Sequence, residues 1–282
     1  MNLSLLQNFT EKNFFLEPFP HLIIKNALPE KLYNELSNTF PINKFKNNDS
    51  NVNVNVNIKD SNVKLFLTPE KVQKDNEIND LWKNFISFNK SKTFCHQIFD
   101  IFSKNIVNTY PNIYKNKDEL YNLKLATIDD TSASNADLFP YIEISCNAPV
   151  TKTNSVVSLH ADNPNKLITA LFYMREKDDF AGGDLNLHYW KINLPFFLKK
   201  IILSKKNTFL NNIIRKYQFL FIGVRKKIKY SSNVLVMYLD SINALHSVAP
   251  RSITNNYRKF CFYSLRLKYK KYLYKPYFGQ AE

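Results

Sequence analysis

His160-Ala-Asp-Asn-Pro-Asn-Lys-Leu-Ile-Thr-Ala-Leu-Phe-Tyr-Met174 is the stretch on which the fold turns. Alternate side chains of a β-strand share a face, so a strand through its opening residues sets His160 and Asp162 side by side and turns Ala161 away. Far along the chain His246 follows Val234-Leu-Val-Met-Tyr-Leu-Asp240, which reads as a further strand lying beside the first. Two imidazoles and one carboxylate cover one face of a metal's octahedron and leave the other face for a co-substrate and dioxygen. An H-x-D triplet by itself is a common accident, and a lone histidine is more often a core or surface residue. The weight of this one lies in its surroundings.

Gly182-Gly183 follows Leu167–Met174 in a chain that has only four glycines. Two adjacent glycines in so poor a background imply a turn with φ > 0, here one closing a hairpin between the strand ending near Met174 and another running Asp184–Tyr189. His188 on that second strand, like His21 and His96, reads as structural.

Together these segments resemble the iron(II)- and 2-oxoglutarate-dependent oxygenases, in particular their prolyl 4-hydroxylase-like branch. The resemblance is carried by His160–Asn165, Leu167–Met174 and Gly182-Gly-Asp-Leu-Asn-Leu187. It continues through His246-Ser-Val-Ala-Pro250, Tyr257-Arg-Lys-Phe-Cys-Phe-Tyr263 and the opening Pro18-Phe-Pro-His-Leu-Ile-Ile-Lys-Asn-Ala-Leu-Pro-Glu30. It spans most of residues 18–268 and is weakest over 41–138 and 191–230. It implies that His160, Asp162 and His246 hold Fe(II). It also implies that Arg258 grips the distal carboxylate of 2-oxoglutarate with both arms of its guanidinium, helped by the hydroxyl of Tyr173. The interval from His246 to Arg258 is slightly longer than the family's usual one, which the turn Ser252-Ile-Thr-Asn-Asn256 absorbs. Arg251 and Lys259 are the alternative anchors.

The reaction so implied is hydroxylation of an unactivated C–H bond with O2, releasing succinate and CO2, on a prolyl residue or a small molecule and with ascorbate as an added reductant. Asp162 argues against a halogenase, where a small residue makes room for halide. Two further readings are a nucleic-acid dealkylase of the same superfamily and a non-catalytic jelly-roll binding module. The spacing of Arg258 and Arg266 does not match the dealkylase pattern. The module would make four retained site residues a coincidence.

Length and composition fit one integrated α+β domain. The chain has 282 residues, 44% of them hydrophobic, enough to bury a full core. Residues 1–138 supply an opening strand, Phe19–Ala27, a helix over Pro29–Phe40 and helices over Glu70–Phe88 and Lys92–Tyr110 that back the core. Residues 139–282, from Tyr141–Ser145 onward, read as the short strands of a double-stranded β-helix, the jelly-roll or cupin-like core. Asn51-Val-Asn-Val-Asn-Val-Asn-Ile58 has the period of a strand with one valine face.

The formal charge of +15 would ordinarily point to nucleic acid or an anionic membrane. An abundance of Lys, Asn, Ile and Phe is also what an AT-rich genome yields, which weakens that inference, and nucleic acid is not favoured. Residues 191–230 interrupt the roll and hold no acidic residue, while Lys199, Lys200, Lys205, Lys206, Arg215, Lys216 and others crowd between aromatic clusters. They read as a basic amphipathic helical insertion. It is either a pair of helices packed on the barrel or a lid or docking surface for an acidic substrate or partner. Cys95, Cys146 and Cys261 form no pair pattern and suit buried thiols in the cytoplasm. No leader and no membrane span is expected.

Overall fold

Along Val234-Leu-Val-Met-Tyr-Leu239 every residue is buried, yet the six divide between two environments. Leu235, Met237 and Leu239 join a large apolar core, while Val234, Val236 and Tyr238 join a second, smaller one. A strand whose two faces are both covered must lie in the middle of a three-layer structure. That layering organises the molecule.

The structure is a computed structural model that describes residues 2–46, 51–52, 61–126, 136–153, 158–204, 213–214, 216–268 and 272–274. The first half contains β1 (Phe14–Phe15), β2 (His21–Lys25), α1 (Glu30–Asn38), α2 (Ile42–Lys46), β3 (Asn51–Val52), β4 (Lys64–Leu67), α3 (Pro69–Lys74), α4 (Asp80–Asn89), α5 (Lys92–Thr109) and α6 (Lys117–Tyr121). The second contains β5 (Leu138–Asn147), β6 (Lys166–Tyr173), β7 (Leu185–Trp190), α7 (Phe196–Leu203), α8 (Gln218–Phe221), β8 (Ile222–Ile228), β9 (Val234–Leu239), β10 (His246–Val248) and β11 (Arg258–Leu267).

Eight strands form an antiparallel sheet in the order β1-β2-β9-β6-β11-β5-β4-β3, and three more form a small sheet, β10-β7-β8. Helices cover one face of the large sheet. The α5 helix starts where Ser91 accepts the Phe94 N–H, and it buries Phe94, Ile98, Phe102 and Ile106 as one stripe. Cys95, Cys146 and Cys261 are free and buried in the same layer. The opposite face meets the small sheet. There Leu185 and Leu187 of β7 and Ile228 of β8 pack on Tyr173, Val236, Tyr238 and Phe260.

Several expectations change. Glu70–Phe88 is two helices, not one. The Asp75 carboxylate accepts the Glu77 N–H and Asn79 caps the next helix through the Trp82 N–H, so local side-chain bonds compete successfully with a continuous helix. Gly182 and Gly183 do have φ of 94° and 86°, as expected of the pair, but they close no hairpin. They carry the chain from the large sheet to the small one, because β6 pairs with β9 and β11 while β7 pairs with β8 and β10.

The insertion is not wholly helical. Ile222–Ile228 is the edge strand of the small sheet, in which β-branched residues recur at alternate positions. Lys205, Lys206 and Arg215 lie outside the described residues, as do residues 53–58 of the Asn/Val repeat. Among the described residues no helix is long and apolar enough to cross a membrane.

Two histidines belong to the packing, as expected of them. His21 is fully buried and its Nδ1 lies 2.8 Å from the Phe19 carbonyl, while His188 contacts Ser247 Oγ at 2.8 Å through Nε2. Burial pulls each down to about 4 from an ordinary 6.5. Below about pH 6.5 the unfolded chain therefore takes up protons that the folded one refuses until about pH 4. Stability is full above that window and falls as the pH drops through it, by up to about 1.4 kcal/mol per pH unit for each histidine. Urea unfolding of the metal-free protein should show this slope between pH 6.5 and 4.5, and a His21→Gln/His188→Gln double variant should flatten it. An unchanged slope in that variant would assign the acid sensitivity to other groups.

Candidate metal centre

The large sheet's inward face becomes polar near its middle because the same period of two that buries apolar residues against the helices turns their neighbours inward. On β6 Thr169 and Leu171 face a cavity of about 220 Å³, and Arg258, Phe260 and Phe262 of β11 face it too. His160, Asp162 and His246 stand at one side of it.

The three come together differently from the expected pair of strands. His160 and Asp162 do not share a strand. His160 makes a single antiparallel bridge to His246, with N–H···O distances of 3.1 and 2.9 Å, and Asp162 sits in the extended segment that follows. The neighbour of His160 is therefore β10, while the strand over 234–239 pairs with β2 and β6. Pro164 in the turn 164–165 stops the first segment from extending its pairing, since proline offers no N–H. Ala161 still turns away, into a third apolar cluster with Leu245, Ile202 and Leu203.

One donor atom from each residue lies within 4.8 Å of the others. The ring nitrogens are sorted by backbone contacts. His160 Nδ1 lies 2.8 Å from the Ser158 carbonyl and His246 Nδ1 lies 3.0 Å from that of Ala244. A carbonyl can only accept, so Nδ1 carries the proton and Nε2 is the nitrogen that each ring turns toward Asp162. Burial raises the Asp162 carboxyl, but Lys166, His246 and His160 more than offset this and hold it well below the usual carboxylate range. Two imidazoles and an ionised carboxylate are a donor set that suits a divalent metal.

Side chains that no motif marked also meet the triad. Tyr238 Oη lies 3.1 Å from both Asp162 Oδ2 and His246 Nε2, and Lys166 Nζ lies 2.8 Å from Asp162 Oδ1. Asp240, against Asp162, is pushed well above the carboxylate range by burial and then by the Asp162 charge. Lys64 also lines the cavity, paired with the buried Glu143 at 2.5 Å. The alternation of β9 carries the signal for Tyr238. For Lys64 and Glu143 no local signal exists, since only the pairing of β4 with β5 brings them together.

Arg258 lies on the cavity wall at 2% exposure. Its Nη2 donates to the Gly183 carbonyl at 2.9 Å and its Nη1 to Asn147 Oδ1 at 3.3 Å, while the rings of Tyr173, Tyr230 and Phe260 surround it. Nε has no hydrogen-bond partner, and among the described residues no carboxylate forms an ion pair with Arg258. The Tyr173 hydroxyl, fully buried beside it, has no hydrogen bond of good geometry either. Tyr173 lies behind Arg258 rather than on the cavity wall. Gly183 is required here for a second reason, because a Cβ at this position would lie 2.9 Å from Arg258 Nε.

The two alternative cations are committed elsewhere. Arg251 is fully buried against Asp179 at 3.6 Å and donates to Asn62, Ala148 and Asn256, and Lys259 pairs with Glu176.

No protein-family model and no curated protein matches the chain. Among solved structures it is similar to a Pseudomonas putida prolyl-4-hydroxylase at 11% identity, covering 88% of this chain and 92% of that one, with a TM-score of 0.45. It is similar to a Trichoplax adhaerens prolyl hydroxylase in complex with a peptide fragment of the hypoxia inducible factor oxygen degradation domain, at 12% identity, 87% and 83% coverage and a TM-score of 0.45. It is also similar to HygX from Streptomyces hygroscopicus with nickel and 2-oxoglutarate bound, at 10% identity, 88% and 83% coverage and a TM-score of 0.40. The structural neighbours thus include prolyl-4-hydroxylases, and at this depth of similarity the chemistry of the cavity must come from its own residues.

Proposed function

We propose that the protein is an Fe(II)- and 2-oxoglutarate-dependent dioxygenase that hydroxylates an unactivated C–H bond of a peptidyl or small-molecule substrate. The observation that carries this reading is the buried guanidinium of Arg258, left without a counter-anion in the same cavity as two imidazoles and a carboxylate of metal-binding geometry. A buried cation is costly unless an anion joins it, so the cavity is built for a ligand that brings one. A dicarboxylate that chelates a metal at one end and meets Arg258 at the other satisfies both features.

In this reading His160, Asp162 and His246 hold iron, and the two backbone-bound Nδ1 protons keep the rings aimed inward. Arg258 holds the distal carboxylate of 2-oxoglutarate, whose charge would answer the unmatched guanidinium, and Tyr173 supports the guanidinium from behind. Tyr238 and Lys166 orient the Asp162 carboxylate. Leu171, Leu185, Val248 and Phe260 exclude water from the reacting centre. Bound there, iron and 2-oxoglutarate activate O2 for insertion of one oxygen atom into the substrate, with release of succinate and CO2; ascorbate is a candidate reductant.

We also infer that the core is a double-stranded β-helix within one integrated domain, with residues 139–282 supplying most of it and residues 1–138 its backing. The central strands β5-β11-β6-β9 face β10-β7-β8, and the His160 bridge extends the smaller sheet to a fourth segment. The three buried free thiols fit a reducing compartment, in our reading the cytoplasm.

Removing one of three metal ligands should leave the ion weakly held. Anaerobic calorimetric titration with Fe(II) should therefore show binding lost in His160→Ala, Asp162→Ala and His246→Ala, with iron-dependent succinate release abolished, and both retained in His188→Ala. Loss in His188→Ala with retention in His246→Ala would overturn the ligand set.

Arg258→Ala should cost about 2–3 kcal/mol of 2-oxoglutarate binding, roughly 30- to 150-fold in affinity, while iron binding stays near wild type. Arg251→Ala should instead lower unfolding stability by about 3–5 kcal/mol, since it strands the buried Asp179, and leave co-substrate affinity in the folded fraction unchanged. Equal 2-oxoglutarate affinity in wild type and Arg258→Ala would remove the anchor from this residue.

A further inference from the structure

The α7 helix is apolar on its outer side as well as its inner one. Its buried side holds Lys199 together with Ile202 and Leu203, while Phe197 and Ile201, one turn apart, face outward at 60% and 42% exposure. Lys199 is accommodated by a 2.8 Å hydrogen bond to Asn243 and by the Trp190 ring. A helix that packs Ile202 and Leu203 inward and still exposes a phenylalanine and an isoleucine leaves on its outer side apolar area that nothing in this chain covers among the described residues.

Apolar exposure extends around it. Nine of the fifteen exposed large apolar residues among those described lie between Ile192 and Val224, so exposure is concentrated here rather than scattered. The elements that carry them are joined. Lys191 donates through its backbone to Phe221 and through Nζ to the Phe219 carbonyl, and Gln218 Nε2 donates to the Ile202 carbonyl, tying α7, α8 and the end of β7 together. Val224 continues the surface onto β8 at the edge of the small sheet.

The charge carried by this segment of the chain has one sign. No acidic residue occurs between Asp184 and Asp240, and Lys191, Lys216, Arg225, Lys227 and Lys229 are all exposed. An apolar patch of this kind marks a binding surface, and a single-sign basic rim selects an anionic partner. A second copy of the chain would bring a second basic rim against the first. A nucleic acid would use the cations but would leave Ile192, Ile201 and Leu220 without an apolar partner. A bilayer containing acidic lipids satisfies both halves, because aromatic and aliphatic side chains enter the headgroup–acyl boundary while lysines meet the phosphates.

We propose that the surface formed by α7, α8 and the outer edge of β8 docks the protein peripherally on an anionic membrane, through insertion of Phe197, Ile201, Phe219 and Leu220. Because the inner residues of α7 pack on Ala161 and Leu245, beside the triad, the docked face lies one layer of side chains behind the metal centre. The inference is independent of the chemistry proposed for that centre.

Flotation of the full chain with phosphatidylcholine vesicles and with mixed phosphatidylcholine–phosphatidylserine vesicles tests it. The wild type should float with the mixed vesicles, remain behind with phosphatidylcholine alone, and be released progressively by salt. Phe197→Ser/Phe219→Ser should weaken partitioning about tenfold or more. Lys216→Glu/Lys227→Glu should weaken it without touching an apolar side chain. Phe180→Ser, exposed but distant in sequence from the patch, should leave it unchanged. Thermal melting of each variant verifies folding, and the charge variant keeps the test decisive if the aromatic one does not fold. Failure of the wild type to float, or equal flotation of both patch variants, would overturn the proposal. So would a dimer that dissociates on Phe197→Ser/Phe219→Ser, which would assign the face to a second copy, or preference for a DNA duplex over the mixed vesicles.

Discussion

The central strands of the large sheet are covered on both faces, and this constraint organises the rest of the structure. With helices on one side and the small sheet on the other, most residues of both alternate sets are withdrawn from bulk water. One set can be wholly apolar, as Leu235, Met237 and Leu239 are. The other cannot be wholly apolar if the molecule is to bind anything. Along β5 it becomes Glu143, Ser145 and Asn147, along β6 Thr169, and along β11 Arg258. Every polar group placed there has to be satisfied in a region of low dielectric, where an unmatched charge costs several kcal/mol.

Most of these groups are matched within the chain. Lys64 has Glu143, Arg251 has Asp179, Lys259 has Glu176, and Lys166 has Asp162. Arg258 has only neutral acceptors, and its Nε has none. Seen across the whole layer, an unmatched guanidinium in an otherwise paired set marks a place for an external anion. Its distance from solvent explains why it needs Gly183, since only a residue without a Cβ lets the main chain approach closely enough to accept from it. Stability and binding capacity thus draw on the same buried polar layer, with carboxylates lowered by neighbouring cations at Asp162 and Glu143 and a carboxyl raised by burial at Asp240.

Much of the site was legible in the sequence because its signals are local. The pairing of His160 with Asp162, the isolated His246 and the Gly182-Gly183 pair each carry their meaning within a few residues. Arg258 was legible only through resemblance, and geometry separates it from Arg251 and Lys259. What the sequence hid depends on which strands lie side by side. Tyr238 meets Asp162 and His246 because the inner face of β9 packs against the small sheet that carries His246, and Lys64 meets Glu143 because β4 lies beside β5. The same limit explains the misread elements. Helical and strand periods are hard to separate where lysines and β-branched residues mix, so β8 read as helix, and Asp75 and Asn79 break a helix that periodicity alone would continue.

The central claim is that one cavity joins a metal-binding triad to a buried anchor for a carboxylate. A crystal structure grown with Mn(II) and 2-oxoglutarate tests it most directly. The account predicts the metal at about 2.0–2.2 Å from Nε2 of His160, Nε2 of His246 and a carboxylate oxygen of Asp162. It also predicts the distal carboxylate of 2-oxoglutarate within hydrogen-bond reach of the Arg258 guanidinium. A metal held by other residues, or a carboxylate seated on Lys64 and Lys166 with Arg258 still unmatched, would contradict it.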